Sequence, residues 1–365
     1  MITDAQNEVN AATLLQLMVD ADASDLHLVA GSPPVLRLNG ELDSQDLPAM
    51  SAAAVESVLD EITNQEQRER FNDEKELDFS CTAEGIGRFR VNAALQRGSI
   101  TLAFRLVRER IPSLRDLGLP DICSDLALKP RGLVLVTGPT GCGKSTTLAA
   151  MIDHLNSRER RHVVSIEDPI EYIHANKLCI ISQRELGPDT LSFEAALIHT
   201  LRQDPDVILV GEMRDLATIS AALTAAETGH LVLTTLHTPS APQTIDRIID
   251  VFPPYQQQQV RVQLSLVLEA VLCQTLLPRV DGAGRVAAIE IMVATSAIRN
   301  LIREGKTHQL LNVVQTGAQF GMRTLDQDLA ALCRSGVIGT ETALERCQSP
   351  DELRRHLGSR ESLAA

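Results

Sequence analysis

A glycine-rich segment directly after an apolar run is the feature that most restricts the fold of this chain. Residues 132–137 read GLVLVT, residues 138–145 read GPTGCGKS, and the helical pattern TTLAAMIDHL follows at 146–155. The spacing G-x-x-x-x-G-K-S between a strand and a helix is that of a phosphate-binding loop. Backbone N–H groups of such a loop wrap the phosphates of a nucleotide, so the sequence predicts an α/β nucleotide-binding domain.

The residue types of this loop predict how it holds a nucleotide and its metal ion. Lys144 brings a positive charge to the β- and γ-phosphates, and Ser145 offers a hydroxyl to Mg²⁺. The predicted cofactors are therefore ATP and Mg²⁺. A glycine-rich turn with a chance lysine is the alternative, but it does not account for the strand and helix on either side. The predicted nucleotide-binding residues are Gly138, Pro139, Thr140, Gly141, Cys142, Gly143, Lys144, Ser145 and Thr146.

Three further apolar runs end in polar residues. VVSI at 163–166 precedes Glu167 and Asp168, VILV at 207–210 precedes Gly211 and Glu212, and LVLTTL at 231–236 precedes His237. The carboxyl ends of parallel strands share one edge of a sheet, and ligands bind in the crevice there. We therefore predict that these strand-end residues converge on the phosphate loop.

The carboxylates and histidines of this edge are the candidate catalytic residues. Glu212 follows a hydrophobic run and is assigned to activation of water and, with Ser145, to the Mg²⁺ shell. Glu167 is a second acid, and its division of labour with Glu212 stays open; a helix cap is the alternative for either. His237 is placed to sense the terminal phosphate. His230 lies seven residues earlier, ~23 Å away along an extended strand, where it either contacts a helix or neighbouring subunit or is merely structural.

The pattern along the chain divides it into two domains. Residues 1–108 predict a small α+β domain, with a helix at 11–20, strands at 25–28 and 35–38, a helix at 51–70 and a hairpin at 87–107. Residues 109–120, with two prolines, predict a linker and a hinge. Alternating apolar runs and helical stretches from 121 to 365 predict a parallel sheet with crossover helices, mostly helical after about 256.

Composition excludes several classes of protein. The net charge is −14, aromatic residues make up 2% and tryptophan is absent, which argues against a nucleic-acid-binding surface. The seven cysteines form no C-x-x-C pair, so a zinc ribbon is not expected. We expect reduced thiols in a cytoplasmic protein instead. Since no apolar run approaches ~20 residues, no membrane span is predicted.

Six segments together resemble the type IV pilus retraction ATPases, the PilT family of the secretion ATPase superfamily. The resemblance runs nearly end to end and includes the AIRNL segment, which sets this branch apart. The segments are SDLHLVAGSPPVLRLNGEL (24–42), GPTGCGKSTTLAAMIDHLN (138–156), SIEDPIEYIH (165–174), DPDVILVGEMRD (204–215), TAAETGHLVLTTLHT (224–238) and AIRNLIREGKTHQ (297–309).

The resemblance implies a PAS-like N-terminal domain, a RecA-like ATPase domain and a homo-hexameric ring with ATP at the seam between subunits. It implies arginines from the N-terminal domain that reach the phosphates, although a solvated strand charge is the alternative for each one. The candidates by position are Arg88, Arg90, Arg97 and Arg105. It also implies an ATP-driven motor for pilus retraction and twitching motility, located in the cytoplasm at the inner-membrane face. The implied partners are the platform protein of the pilus machine and, as a further candidate, a second retraction ATPase.

The residues present disfavour several alternatives within and outside this superfamily. Pilus-assembly and type II secretion motors carry a tetracysteine zinc module that is missing here, which favours retraction over assembly, secretion or DNA uptake. The acidic charge disfavours a nucleic-acid motor, and the two acids disfavour a scaffold without hydrolysis. The apolar residues of the AIRNL segment either dock a partner, as the resemblance favours, or pack in the core. Cys142 stands where the family more often has serine; a helix N-terminus and a lysine nearby predict a lowered thiol pKa and oxidation-sensitive activity.

Overall fold

The computed structural model describes residues 10–38, 40–107, 110–282 and 284–358. The chain divides into two compact units, Met1–Glu109 and Arg110–Ala365. Most of the predicted linker therefore belongs to the second unit, while residues 108 and 109 lie outside the described residues. Leu114 and Leu119 are buried in a core cluster of that unit. This part of the linker is thus packed within the second unit, and its role as a hinge stays a prediction.

The first unit is the α+β domain that the sequence predicted. Its helices are α1 (Ala11–Asp20), α2 (Ala52–Ile62) and α3 (Gln65–Glu74), and its strands are β1 (Asp25–Val29), β2 (Val35–Leu38), β3 (Glu41–Ser44), β4 (Glu76–Ala83), β5 (Gly87–Gln96) and β6 (Ser99–Leu106). The strands form one sheet in the order β3-β2-β1-β6-β5-β4, and every pairing is antiparallel. Apolar residues of the helices and of one sheet face form its core.

The helix predicted over 51–70 is two helices. Asn64 ends the first segment because its side chain and that of Gln67 form a capping box that starts α3. Such a reciprocal cap satisfies two backbone donors that would otherwise lack partners at a helix start. Strands β3 and β4 were not predicted. Every residue of β3 is exposed, so this strand has no alternation of buried and exposed residues that would indicate it.

The second unit is built on a seven-stranded sheet. Its strands are β7 (Gly132–Thr137), β8 (His162–Glu167), β9 (Ile180–Glu185), β10 (Val207–Val210), β11 (Leu231–Leu236), β12 (Leu268–Pro278) and β13 (Arg285–Val293). The order is β13-β12-β7-β11-β10-β8-β9. All neighbours are parallel except β13, which runs antiparallel to β12. This confirms the predicted parallel sheet with crossover helices.

Helices cover both faces of this sheet. They are α4 (Ile122–Ala127), α5 (Lys144–Asn156), α6 (Phe193–Thr200), α7 (Leu216–Glu227), α8 (Ala241–Asp250), α9 (Pro254–Val267), α10 (Ser296–Arg303), α11 (Leu310–Thr316), α12 (Leu325–Arg334), α13 (Thr340–Arg346) and α14 (Pro350–Gly358). One face packs on α4 and α5, and the other packs on α6 to α11. Every residue of β7, β10 and β11 is buried, as expected for strands covered on both sides.

The chain after residue 256 is less helical than predicted. Two long strands, β12 and β13, lie in this region and extend the sheet beyond β7. The run LEAVLCQTLLP of β12 is buried over most of its length, and a continuous apolar run cannot be distinguished from a buried helix by periodicity. None of the helices in the described ranges is long and apolar enough to cross a membrane.

The AIRNL segment forms α10 and packs within the unit. Ile298 and Ile302 are fully buried in the core. The guanidinium of Arg299 donates to the carbonyl oxygens of Ser265 and Leu266 at 2.8 and 2.7 Å, which lie in the last turn of α9. The apolar residues of this segment are therefore occupied by core packing, the alternative that the resemblance had disfavoured.

Candidate active site

The phosphate loop connects the buried strand β7 to α5. Gly138 has φ 136° and Gly143 has φ 90°, backbone conformations that glycine adopts without a steric penalty. A Cβ on Gly138 would also collide with the carbonyl oxygen of Gln274 on β12. Pro139, Thr140 and Gly141 are exposed at the tip of the loop. The loop therefore presents its backbone to solvent from a base that is fixed against the sheet.

Lys144 lies inside this loop and is only 8% exposed. Its Nζ donates to the carbonyl oxygens of Gly138 and Pro139 at 2.8 and 3.1 Å. The same ammonium group lies 3.4 Å from Nδ1 of His237. Ser145 and Thr146 are half-buried in the first turn of α5. The predicted positive charge is thus at the centre of the loop and contacts the end of β11.

A chain of polar contacts runs from the phosphate loop to the end of β10. His237 Nε2 lies 3.2 Å from Glu212 Oε1, and Glu212 Oε2 lies 2.9 Å from Arg214 Nη2. Since an ammonium group can only donate, Nδ1 of a neutral His237 accepts from Lys144 and its Nε2–H donates to Glu212. The contacts therefore define one imidazole tautomer and join three strand ends that the sequence predicted to converge.

The environment of Glu212 favours an ionised carboxylate. Partial burial pushes the pKa of Glu212 up, but the hydrogen bonds from Arg214 and His237 and the charge of Arg214 outweigh it and lower the pKa below its usual value. A carboxylate that stays ionised near neutral pH can bind a hard metal ion or accept a proton from water. The geometry is compatible with both roles assigned to it from the sequence.

Glu167 at the end of β8 is in a different environment. Its Oε1 accepts from Ser165 Oγ at 2.6 Å and from Gln183 Nε2 at 3.2 Å. Burial raises the pKa of Glu167, and these hydrogen bonds offset that rise only in part. A Cβ on Gly211 would lie 3.3 Å from Glu167 Cα, so the ends of β8 and β10 touch. The two acids thus share an edge, but Glu212 is the one held as a carboxylate.

The two histidines of the segment TAAETGHLVLTTLHT (224–238) lie at opposite ends of β11. His230 precedes the strand, and its Nδ1 lies 2.9 Å from the carbonyl oxygen of Ala225 and 3.2 Å from Thr228 Oγ1. Both contacts are with the C-terminal end of α7. His230 is therefore connected to a helix at the edge opposite the phosphate loop, and its predicted catalytic role stays a prediction.

The four candidate arginines all belong to the first unit. Arg88 and Arg90 alternate along β5 with the buried residues Phe89 and Val91, so they share the face that points away from the core. Arg97 lies in the β5–β6 turn with φ 52°. Arg105 pairs with Asp25 at 2.8 Å. Their action on a neighbouring subunit's nucleotide stays a prediction.

The lowered thiol pKa predicted for Cys142 is wrong. The residue is 3% exposed, and burial raises the pKa of its thiol more strongly than the charge of Lys144 lowers it. A buried thiol with a raised pKa is a poor nucleophile toward oxidants. The sequence identified the helix and the lysine beside Cys142, but it could not show that the thiol points inward.

Gln274 is a site residue that the sequence analysis missed. This amide on β12 is 4% exposed; its Nε2 donates to the carbonyl oxygen of Cys142 at 2.6 Å and its Oε1 accepts from Thr147 Oγ1 at 2.9 Å. It thereby joins the phosphate loop, α5 and β12. A single amide within the apolar run LEAVLCQTLLP was the available signal, since a buried amide requires partners.

Arg214 and Tyr172 were also missed. Arg214 pairs with Glu212, as described above, and the Tyr172 hydroxyl lies 2.9 Å from Thr146 Oγ1. Tyr172 belongs to the segment that follows Glu167, so this contact connects that segment to the first turn of α5. Both residues lie in motifs that the sequence analysis quoted, but their types alone did not indicate a partner.

The residues present fit a metal ion that arrives with a nucleotide. Among the residues that the structure describes, no group of three histidines, cysteines or acids could hold a metal ion by itself. Ser145 and Glu212 offer two hard oxygen ligands, and Mg²⁺ in such sites takes its remaining ligands from phosphates and water. The donor set therefore matches a metal shared between protein and nucleotide.

A parallel sheet that carries a phosphate loop after one strand and a carboxylate after another defines the class of P-loop nucleotide hydrolases. Comparison with known proteins narrows this class. Residues 13–344 match the family described as "Type II/IV secretion system protein". The chain belongs to this family and, within it, to the PilT-type pilus retraction ATPases.

Three comparisons support that assignment. The chain is 49% identical over 338 residues to the type IV pilus retraction ATPase PilT of Pseudomonas aeruginosa, covering 93% of this chain and 98% of the relative. It is 49% identical over 325 residues to a twitching motility protein of Neisseria gonorrhoeae, covering 89% and 87%. A crystal structure of the retraction motor PilT with bound ADP matches with a TM-score of 0.87 at 45% identity, covering 94% of this chain and 99% of that one.

Replacement of Gln274 by leucine is expected to weaken nucleotide binding. The change leaves the Cys142 carbonyl and the Thr147 hydroxyl without their buried partner, which costs about 1–3 kcal/mol of the free energy that holds the loop in its folded position. Because a displaced loop binds phosphates less well, the Kd of an ATP analogue should rise roughly tenfold or more. Isothermal titration of Gln274→Leu measures this. Gln259→Leu, an exposed amide on α9, is the control, and equal affinity of both variants would contradict the assignment.

Replacement of Glu167 by glutamine is expected to stabilise the fold at neutral pH. Since the pKa of Glu167 is raised above its ordinary 4.5 by burial, the wild type loses stability as pH rises from below 4.5 through the raised folded-state pKa. Glu167→Gln keeps an acceptor for Ser165 but carries no charge. Its melting temperature should exceed that of wild type at pH 7, and the difference should shrink below pH 4.5. A lower melting temperature at both pH values would contradict the account.

Proposed function

We propose that this chain is an ATP-hydrolysing motor that powers the retraction of type IV pili. The observation that carries the proposal is the contact chain from Lys144 through His237 to Glu212. The ammonium group of Lys144, the imidazole of His237 and the carboxylate of Glu212 are in contact at one edge of the sheet, which supports a site for phosphate chemistry there. Phosphoryl transfer requires charge neutralisation and an oriented water, and this arrangement supplies groups for both.

In this proposal each side chain has a defined task in the hydrolysis of ATP to ADP and phosphate. Lys144 and the loop amides bind the phosphates. Glu212 orients the attacking water and receives its proton, while His237 holds the Glu212 carboxylate through Nε2–H. Ser145 and Glu212 would hold Mg²⁺, which supplies charge neutralisation at the phosphate oxygens when bound. Glu167 acts as a second acid at the same edge of the sheet, where it accepts hydrogen bonds from Ser165 and Gln183.

The proposal extends to assembly and location. The chain works as a homo-hexamer, with ATP at the seam between subunits and arginines among Arg88, Arg90, Arg97 and Arg105 reaching across it. It acts in the cytoplasm at the inner-membrane face, on the platform protein of the pilus machine, and a second retraction ATPase is a candidate partner. The match to 98% of the length of a retraction ATPase supports this reading.

A related secretion, pilus-assembly or DNA-uptake motor is the second candidate. It uses the same site, so only the cellular output separates it from a retraction motor. A nucleic-acid motor is disfavoured by the net charge of −14. Cells that lack this protein should carry abundant pili that never shorten; cells without pili would point to assembly.

Substitution of Glu212 tests the proposed chemistry. Glu212→Gln keeps the size and a hydrogen-bonding oxygen but cannot accept a proton, so kcat for phosphate release should fall roughly 10²- to 10⁴-fold while an ATP analogue still binds. Lys144→Ala should lose binding as well. Glu194→Gln, an exposed acid on α6, is the matched control. Equal phosphate release by wild type and Glu212→Gln would refute the role of this carboxylate.

A further inference from the structure

Glu290 on β13 is a fully buried carboxylate to which the sequence analysis and the proposed mechanism gave no role. It is 0% exposed. Its Oε1 accepts from the backbone N–H of Ala241 at 2.7 Å, and Ala241 is the first residue of α8. A buried carboxylate is costly unless its oxygens are satisfied, so this contact fixes the start of α8 against the sheet.

The start of α8 is connected to His237 through a short loop. The loop 237–240 joins β11 to α8. Within it, Thr238 Oγ1 lies 2.7 Å from Thr244 Oγ1, and Thr244 Oγ1 donates to the Ser240 carbonyl oxygen at 2.7 Å. The loop is therefore bonded to the first turns of α8. His237, whose imidazole contacts Lys144 and Glu212, directly precedes the bonded residue Thr238.

Glu290 also lies in line with the origin of the phosphate loop. It is the cross-strand partner of Cys273 on β12, which is the partner of Thr137 on β7. Thr137 Oγ1 lies 3.0 Å from Cys273 Sγ, and Thr137 directly precedes Gly138. Register partners share one face of a sheet. One row of side chains thus connects the start of the phosphate loop to the carboxylate that holds α8.

The C-terminal helices reach the same carboxylate. Gln348, between α13 and α14, donates from Nε2 to Glu290 Oε2 at 3.2 Å. The backbone amides of Gln348 and Ser349 donate to the two carboxylate oxygens of Asp326 at 2.8 Å each. Asp326 lies in the first turn of α12. The segment 347–349 is therefore held at the point where Glu290 meets α8.

The surroundings of the Glu290 carboxyl act on its pKa in opposite directions. Burial raises the pKa of Glu290, and the nearby Asp326 raises it further, while hydrogen bonds from the amides of Ala241 and Leu325 and from Gln348 oppose this. An apolar side chain at this position would be buried without the cost of desolvating a carboxyl group. The carboxylate stands where three parts of the unit meet: the sheet, α8 and the C-terminal helices.

We propose that Glu290 is a positioning residue for ATP hydrolysis, which sets the His237 loop relative to the phosphate loop and connects the segment 347–349 to it. This inference rests on the proposed function. The phosphate loop itself is held by Gln274 and by β7, so loss of Glu290 should misplace His237 while leaving nucleotide binding largely intact. The signature is a change in kcat with little change in KM.

Steady-state phosphate release by the full-length chain tests this. Glu290→Leu removes both acceptors at similar size, and its kcat should fall roughly 10- to 100-fold, the effect of a displacement near 1 Å in a catalytic group, with KM for ATP within about twofold. Glu290→Gln keeps an oxygen for Ala241 and turns an amide N–H toward Gln348, whose side-chain amide can flip to accept from it, so this variant should recover most of kcat. An unchanged kcat for Glu290→Leu, or a loss carried only by KM, would overturn the proposal.

A second pair of variants separates positioning from stability. Because Glu290 acts through His237, adding Glu290→Leu to His237→Gln should lower single-turnover phosphate release little beyond His237→Gln alone; independent effects would multiply and refute the coupling. If Glu290→Leu does not fold, Gln348→Ala replaces it in the comparison with His237→Gln. Gln348→Ala should lower phosphate release less than Glu290→Leu, and its effect should likewise be lost in the His237→Gln background. Absence of phosphate release by wild type would refute the proposed function, whereas active wild type with multiplicative effects would refute only this inference.

Discussion

The contact between Lys144 and His237 depends on the parallel pairing of the strands that carry them. β7 and β11 are neighbours in register from Gly132 to Thr137, so the residues that follow both strands meet at the same edge. His237 then reaches Glu212 because β10 is the next neighbour of β11. A shift of either strand would separate these groups, and the cation, the imidazole and the carboxylate would no longer form one site.

Buried polar side chains hold this edge in place. Gln274 joins the phosphate loop to β12, and Glu290 joins α8 to β13. Both stand in buried stretches of largely apolar strands, where an amide or carboxylate without hydrogen-bond partners would lower the stability of the fold. Their partners include a backbone group of the loop and one of the helix start, so each polar group fixes the chain next to a functional residue. The specificity of the site's geometry thus comes partly from groups that do not touch a nucleotide.

Local patterns predicted the site better than they predicted the elements that support it. The phosphate loop, the strand-end acids and His237 each follow an apolar run, and the parallel-sheet rule then brings them together without further information. By contrast, the region of β12 and β13 was predicted to be helical, because a continuous apolar run has no periodic pattern that distinguishes a strand from a helix. The partners of Gln274 and Glu290 lie on other elements, and the burial of Cys142 depends on the direction of one side chain, so local sequence could not supply them. For Gln274, the lone amide in the run LEAVLCQTLLP indicated only that partners are required. The division of 51–70 into α2 and α3 was available in principle from the Asn64 and Gln67 capping pair.

The central claim is that a cation, an imidazole and a carboxylate surround the terminal phosphate of a bound nucleotide. A crystal structure of the chain with Mg²⁺ and a non-hydrolysable ATP analogue measures this directly. The account predicts the γ-phosphate within hydrogen-bonding distance of Lys144 Nζ and beside His237, with the Glu212 carboxylate on the same side. A γ-phosphate bound on the side of the loop away from Glu212 and His237 would contradict it.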